Sequence, residues 1–236
     1  MQNDLRENLT TVWRRIEAAA NRAGRSSNEI KLIAVSKTHP PEILREAIIA
    51  GANVFGENKV QEGEAKILEI GREKAEWHLI GHLQSNKARK AVRLFDVIHT
   101  LDSVELAQRL ERICVEERVE NLAVLVQVDL AGEATKSGIL ERDLPALVGF
   151  LQTCKCLKFD GLMILPPFYE DVGKVRPFFR RLCEIRDELL RKDVFSNRKG
   201  ELSMGMSHDF EAAIEEGATL VRVGTAIFGE RNYRKV

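Results

Sequence analysis

The chain has 236 residues, 44% hydrophobic and 31% charged, which is the composition of a folded protein and not of a disordered one. Its 36 Lys and Arg balance 36 Asp and Glu, which removes any overall electrostatic case for nucleic acid or membrane binding. No apolar run nears the roughly 20 residues of a membrane span. The polar start, Met1 to Glu7, lacks the apolar stretch of a signal peptide, so a cytoplasmic location is expected.

The elements follow in chain order. Leu5 to Arg22 carries Leu5, Leu9, Val12, Trp13, Ile16, Ala19 and Ala20 at helical spacing, and Gly24 stops it. Ile30 to Val35 reads as a buried strand. Pro40-Pro41 opens a helix that Gly51 closes. Asn53–Phe55 is a strand, followed by a helix from Lys59 to Ile70. Trp77–Ile80 is a third strand, with a short helix over Lys87–Val92 behind it. Asp96–His99 is a fourth strand, and Ser103 caps a helix to Glu117. Leu122–Val128, the helix Asp143–Leu151 and the strand Leu157–Met163 come next, then an amphipathic helix over Val172–Leu190. Glu201–Ser203 is a seventh strand, Ser207 caps a helix through Glu216, Thr219–Val223 is the eighth strand, and a short helix starts near Thr225.

Eight strands alternating with helices predict an α/β fold, a single (β/α)8 TIM-type barrel. The whole chain, 1–236, forms one domain in this reading, with residues 1–28 supplying an extra N-terminal helix. The competing open doubly wound sheet would carry a glycine pattern after its first strand, and Val35-Ser36-Lys37-Thr38 has none. Cys114, Cys154, Cys156 and Cys183 form neither a disulfide framework nor a zinc motif. His78 and His82, four apart, span a strand end and a loop, so packing or loop hydrogen bonds explain them better than a metal.

In such a barrel the loops after the strands carry the chemistry. Lys37 follows strand one and shares parity with Ile33 and Val35, which aims it at the barrel mouth. Desolvation there would make its amine a better nucleophile. Ser203-Met204-Gly205-Met206-Ser207 and Arg222-Val223-Gly224-Thr225 follow strands seven and eight, where barrels hold phosphate. A lysine amine and a phosphate cradle suit pyridoxal 5′-phosphate (PLP), as a covalent aldimine on Lys37. Arg222 alternates with Val221 and Val223 and faces the interior. It forms either a structural ion pair, with Glu57 as candidate partner, or a hydrogen bond to the ring nitrogen of the cofactor. Asn58 either contacts the cofactor ring or shapes a turn. A sugar-phosphate barrel with Lys37 as an aldolase-type lysine is a further alternative.

Six segments carry a resemblance: Ala34 to Lys37; Phe55-Gly56-Glu57-Asn58; Trp77 to Lys87; Gly161-Leu162-Met163; Ser203 to Asp209; and Val221 to Gly229. In this order the chain resembles the pyridoxal phosphate homeostasis protein family, the YggS/PROSC group of PLP-binding proteins, from about Ile30 to Arg231. The resemblance implies a barrel like the N-terminal domain of fold-type III enzymes such as alanine racemase. It implies Lys37 as the Schiff-base lysine, phosphate contacts from Ser203, Gly205, Ser207, Gly224 and Thr225, Arg222 at the ring nitrogen, and Asn58 and Met163 lining the cofactor. The chain departs from the family pattern around Gln127 and Asp129.

The resemblance implies a carrier that buffers or delivers PLP to apoenzymes. The alternative is a fold-type III racemase or decarboxylase. Such an enzyme needs a β-rich second domain, and the chain ends at Val236 just after the barrel closes. Only Tyr169 and Tyr233 are available as tyrosine bases. Lys136, in the loop after strand five, is a candidate second amine for hand-off. A monomer is expected, because no apolar face stands out.

Overall fold

The computed structural model describes residues 4–132 and 137–229. Helix α1 (Leu5–Arg22) begins at Asp4, whose carboxylate accepts the N–H groups of Arg6 and Glu7 at 3.0 and 3.2 Å. That carboxylate satisfies donors that the first helical turn leaves without partners. The stripe Leu5, Leu9, Val12, Ile16, Ala19 and Ala20 is buried, against α8 and α9 in part.

Strands and helices then alternate: β1 (Lys31–Val35), α2 (Pro41–Ile49), β2 (Val54–Glu57), α3 (Val60–Ile70), β3 (Glu76–Leu79), α4 (Ala88–Leu94), β4 (Val97–Leu101), α5 (Val104–Glu117), β5 (Leu122–Asp129), β6 (Ile139–Leu140), α6 (Leu144–Leu151), β7 (Leu157–Met163), α7 (Arg176–Leu190), β8 (Glu201–Met206), α8 (Phe210–Glu215), β9 (Leu220–Val223) and α9 (Thr225–Phe228). Neighbours run in the order β4-β3-β2-β1-β9-β8-β7-β5, and β4 also pairs with β5. All of these pairings are parallel. The eight strands close a ring, the barrel expected from the alternation. Strand β6 is a two-residue spur on β5, with Val128 opposite Ile139. It is too short to leave a periodic signal in the sequence.

The strands divide their side chains between two environments. Outward residues such as Phe55 and Trp77, stacked at 5.4 Å, join the large core beneath the helices. Inside the ring a small apolar cluster, Ile33, Val54, Leu125, Met163 and Leu220, shares the space with buried His78, His99, Ser203 and Arg222. Among the described residues no helix is long and apolar enough to cross a membrane.

Two expectations change. Strand β8 does not end at Ser203 but runs on to Met206, so Met204, Gly205 and Met206 belong to the strand and Ser203 lies well inside it. Helix α8 starts at Phe210 with Asp209 at its N-cap, and Ser207 does not cap it. The Asp209 carboxylate instead accepts the Met206 N–H at 2.7 Å, which pins the turn, and the Ser207 hydroxyl faces β9.

At the N-terminal mouth the barrel opens into a cavity of ≈ 860 Å³, lined by Lys31, Glu76, His78, Asp160 and Glu201 among others. Burial, with Glu201 adding repulsion, pushes the Asp160 carboxyl up to about 6. A carboxyl raised in the folded state binds its proton more tightly there than when unfolded. Stability therefore falls as pH rises from the unfolded value of 3.8 and stays reduced above the folded one. Asp160→Asn should raise the urea midpoint at about pH 7, with the gap over the parent chain closing towards about pH 4. A gap independent of pH would contradict this assignment.

Candidate functional site

The closure of β1 on β9 builds the site. In their register Ile33 lies opposite Arg222 and Ala34 opposite Val223. One step on, Gly224 sits against Val35, close enough that a Cβ on the glycine would meet the Val35 carbonyl oxygen at 3.4 Å. Lys37, half-buried, is two residues further along this rim. His39 stacks on Phe228 at 4.8 Å, which ties the loop after β1 to α9. Lys37 and the turn at Gly224 therefore share one edge of the C-terminal mouth.

The loop carrying Lys37 is clamped from behind. Lys66 of α3, 4% exposed at its side chain, donates to the Ser36 carbonyl (2.7 Å), to Glu57 Oε1 (2.7 Å) and to Glu62 Oε1 (2.8 Å). The Ser36 hydroxyl donates to Glu57 Oε1 at 2.6 Å, and the Thr38 N–H donates to Glu62. Thr38 adopts φ 69°, a conformation that costs a β-branched residue of order 1–3 kcal/mol. Both neighbours of Lys37 are thus held by one buried network. Burial pushes the Glu57 carboxyl up against the pull of Lys66 and Ser36, and its Oε2 is buried without a hydrogen-bond partner among the described residues.

The Ser207 hydroxyl oxygen accepts the Gly224 N–H at 3.1 Å and lies 3.5 Å from the Ala226 nitrogen. The β9–α9 turn thus directs backbone donors towards the β8 loop, where the Ser207 hydroxyl accepts them. Thr225 is exposed beside them and Gly224 is half-buried. Gly205 has φ 91°, and a Cβ there would lie 2.8 Å from the Phe210 Cα. This glycine lets α8 pack onto the strand end. Asn58 is half-buried at the end of β2, and its backbone fills the space over Gly81, where a Cβ would meet the Asn58 carbonyl oxygen at 2.2 Å. Met163 is fully buried in the interior cluster below the mouth.

Arg222 is 3% exposed. It donates to Ser203 Oγ at 2.6 Å and to the Ile164 carbonyl at 2.9 Å. Burial lowers its pKa to about 10, with Asp209 opposing, so it stays charged at neutral pH. The ion pair with Glu57 considered from the sequence does not form, because Glu57 faces α3 and Lys66. Ser203 lies apart from the cradle. Its hydroxyl, fully buried, meets both Arg222 and His99 Nδ1, the latter at 2.9 Å. The contacts continue from His99 Nε2 to His78 Nδ1 (2.7 Å) and from His78 Nε2 to Glu76 Oε1 (2.8 Å).

Sequence reasoning missed Lys66, His99 and Glu76. Lys66 breaks the buried stripe of α3, between Gly63 and Ile67, and a charge in such a stripe signals a buried partner. For His78 the useful spacing runs across strands: β3 and β4 are neighbours, and their histidines face the same interior. His82 instead meets Ser137 and Asp102 at 3.1 and 3.6 Å. Gln127 donates to the Ser137 carbonyl, and Asp129 accepts the Ala131 and Gly132 N–H groups, so both act in local loop structure. Lys136, Glu133 and Tyr233 lie outside the described residues.

The closed parallel barrel is that of the alanine racemase N-terminal domain family, whose model matches residues 8–232. An alanine racemase from Clostridium difficile shares the fold, with a TM-score of 0.73 at 16% identity over 100% of this chain and 59% of that one. Two proteins named pyridoxal phosphate homeostasis protein are far more similar in sequence. The one from Aquifex aeolicus is 44% identical over 96% of this chain and 98% of its own length, and the one from Escherichia coli strain K12 is 42% identical over 99% of both. PipY of Synechococcus elongatus, solved with PLP bound, has a TM-score of 0.80 at 40% identity, covering 91% of this chain and 100% of that one. The chain belongs to the pyridoxal phosphate homeostasis protein family.

Removing one member of a buried ion pair strands the other charge. Lys66→Met should cost about 4 kcal/mol in urea unfolding, and adding Glu57→Gln should recover most of it. A loss below about 1 kcal/mol would show that Lys66 does not hold the Lys37 loop.

Proposed function

We propose that the chain binds PLP as a Schiff base on Lys37 and serves cytosolic PLP homeostasis, buffering the cofactor and delivering it to apoenzymes without robust catalysis of its own. The observation that carries the proposal is the β1–β9 register, which sets Lys37, the Ser207–Gly224 cradle and Arg222 around one mouth. The relatives' name and the PLP bound by PipY support it.

The residues fit the group. Backbone donors at the β9–α9 turn and the Ser207 and Thr225 hydroxyls suit phosphate oxygens, with Gly205 and Gly224 shaping the two loops. The guanidinium of Arg222 cannot accept a proton, so beside a pyridine nitrogen it would keep that nitrogen unprotonated. Asn58 and Met163 would line the ring. Bound PLP supplies an electrophilic carbonyl for the lysine amine and an electron-accepting ring. Arg222 weakens the second property, which favours holding the cofactor over carbanion chemistry. Tyr169, the one tyrosine among the described residues, stacks on Phe178 at 6.2 Å and packs against the core, which supports a packing role. The alternative reading, a fold-type III racemase or decarboxylase, rests on the shared fold alone.

In this proposal residues 1–236 act as one PLP-binding domain, with Lys136 as a second amine during hand-off. The four free cysteines suit a reducing compartment. A monomer, the state expected from the sequence, is kept in this proposal.

The purified protein mixed with PLP should show a visible absorbance band that borohydride bleaches, and Lys37→Ala should lack it. Added amino acids should not be racemised or decarboxylated at a rate above that of free PLP. A band that survives in Lys37→Ala would overturn the lysine assignment, and sustained turnover would favour the enzyme.

A further inference from the structure

The interior polar contacts have one consistent direction. Arg222 can only donate, so Ser203 Oγ accepts from it and its own proton goes to His99 Nδ1. A neutral His99 then donates from Nε2 to His78 Nδ1, and a neutral His78 donates from Nε2 to Glu76. The reverse assignment would aim a lone pair of His78 at the Glu76 carboxylate. Burial holds both imidazoles below their ordinary pKa, and the His78 hydrogen bond keeps Glu76 ionised down to about 2. Glu76 also accepts from Lys31 at 2.9 Å and faces the cavity at the N-terminal mouth.

We propose that Glu76, His78 and His99 are positioning residues for Arg222: a one-way relay, Arg222→Ser203→His99→His78→Glu76, crosses the barrel and ties the guanidinium at the cofactor mouth to a carboxylate at the opposite one. The relay solves a problem that the site creates. Arg222 is almost fully buried, among the described residues no carboxylate hydrogen-bonds to it, and Asp209 acts on it only at a distance, so its charge is costly to hold there. The oriented dipoles of Ser203, His99 and His78 carry its compensation to Glu76. They also fix the rotamer of the Ser203 hydroxyl, and so the direction in which Arg222 presents its remaining N–H groups. The role towards the ring nitrogen rests on the PLP reading above. The relay itself is a property of the apoprotein.

Two measurements test it. In the 15N-labelled apoprotein, long-range proton–nitrogen spectra should show His78 and His99 both neutral, protonated at Nε2 and bare at Nδ1. A proton on Nδ1 of either ring overturns the relay. Glu76→Gln, at a partly exposed site where folding should survive, should weaken PLP binding about tenfold and shift the absorbance band of the bound cofactor. Glu69→Gln, which removes a surface pair with Arg45, should do neither. A Glu76→Gln protein with unchanged affinity and an unshifted band overturns the coupling to the cofactor. If the unmodified protein takes up no PLP, the cofactor reading and the ring-nitrogen role fall together, while the tautomers still decide the relay.

Discussion

The parallel pairing of β1 with β9 is the constraint on which the rest depends. These strands are separated by most of the chain, and their hydrogen bonds close the barrel between its first and last strands. A slip of one residue would turn Arg222 out of the interior and Val221 or Val223 into it. The same slip would move Gly224 away from Val35 and separate the Lys37 loop from the donors of the β9–α9 turn. The site is therefore a consequence of closure. The relation between its parts is set by backbone register before any side chain contributes.

Two buried charges flank that seam, and they are balanced in different ways. On the outer side, Lys66 and Glu57 meet directly beneath α3, with Ser36 and Glu62 completing the set. A direct pair of this kind is rigid, and here it fixes the backbone on both sides of Lys37. On the inner side, the hydrogen-bond partners of Arg222 among the described residues are neutral: Ser203 and the Ile164 carbonyl. Among the described residues its hydrogen bonds lead to a carboxylate through the histidine chain, while Asp209 acts on it at a distance. In the PLP reading proposed above, a carboxylate bonded directly to Arg222 would occupy donors that the ring nitrogen needs.

Much of the fold was legible because its strands are short apolar runs punctuated by turn residues, and eight of them in alternation leave few architectures. That Lys37, Gly224 and Ser207 meet at one rim was legible for a related reason: strand ends in a barrel converge, so polar and glycine residues at several ends can be read together. The errors arose where a side chain's role depends on which strand lies beside it. Ser203 reads as the last residue of its strand because nothing in its neighbours marks β8 as continuing to Met206. Glu57 looked available to Arg222, yet it sits on the opposite face of its strand and pairs with a lysine nine residues on. His78 is hydrogen-bonded, as the sequence suggests, but its histidine partner, His99, lies across β3 and β4 and not along the chain, where sequence spacing cannot reveal it. The β6 spur has only two residues and was invisible for want of length.

The most direct test is a crystal structure of the protein grown with PLP. The account predicts electron density continuous from Lys37 Nζ to the cofactor, the ring nitrogen within hydrogen-bond distance of Arg222, and the phosphate against Ser207 and the amides that begin at Gly224. Cofactor joined to a different lysine, or a ring turned so that its nitrogen faces away from Arg222, would contradict the claim that β1–β9 closure builds this site.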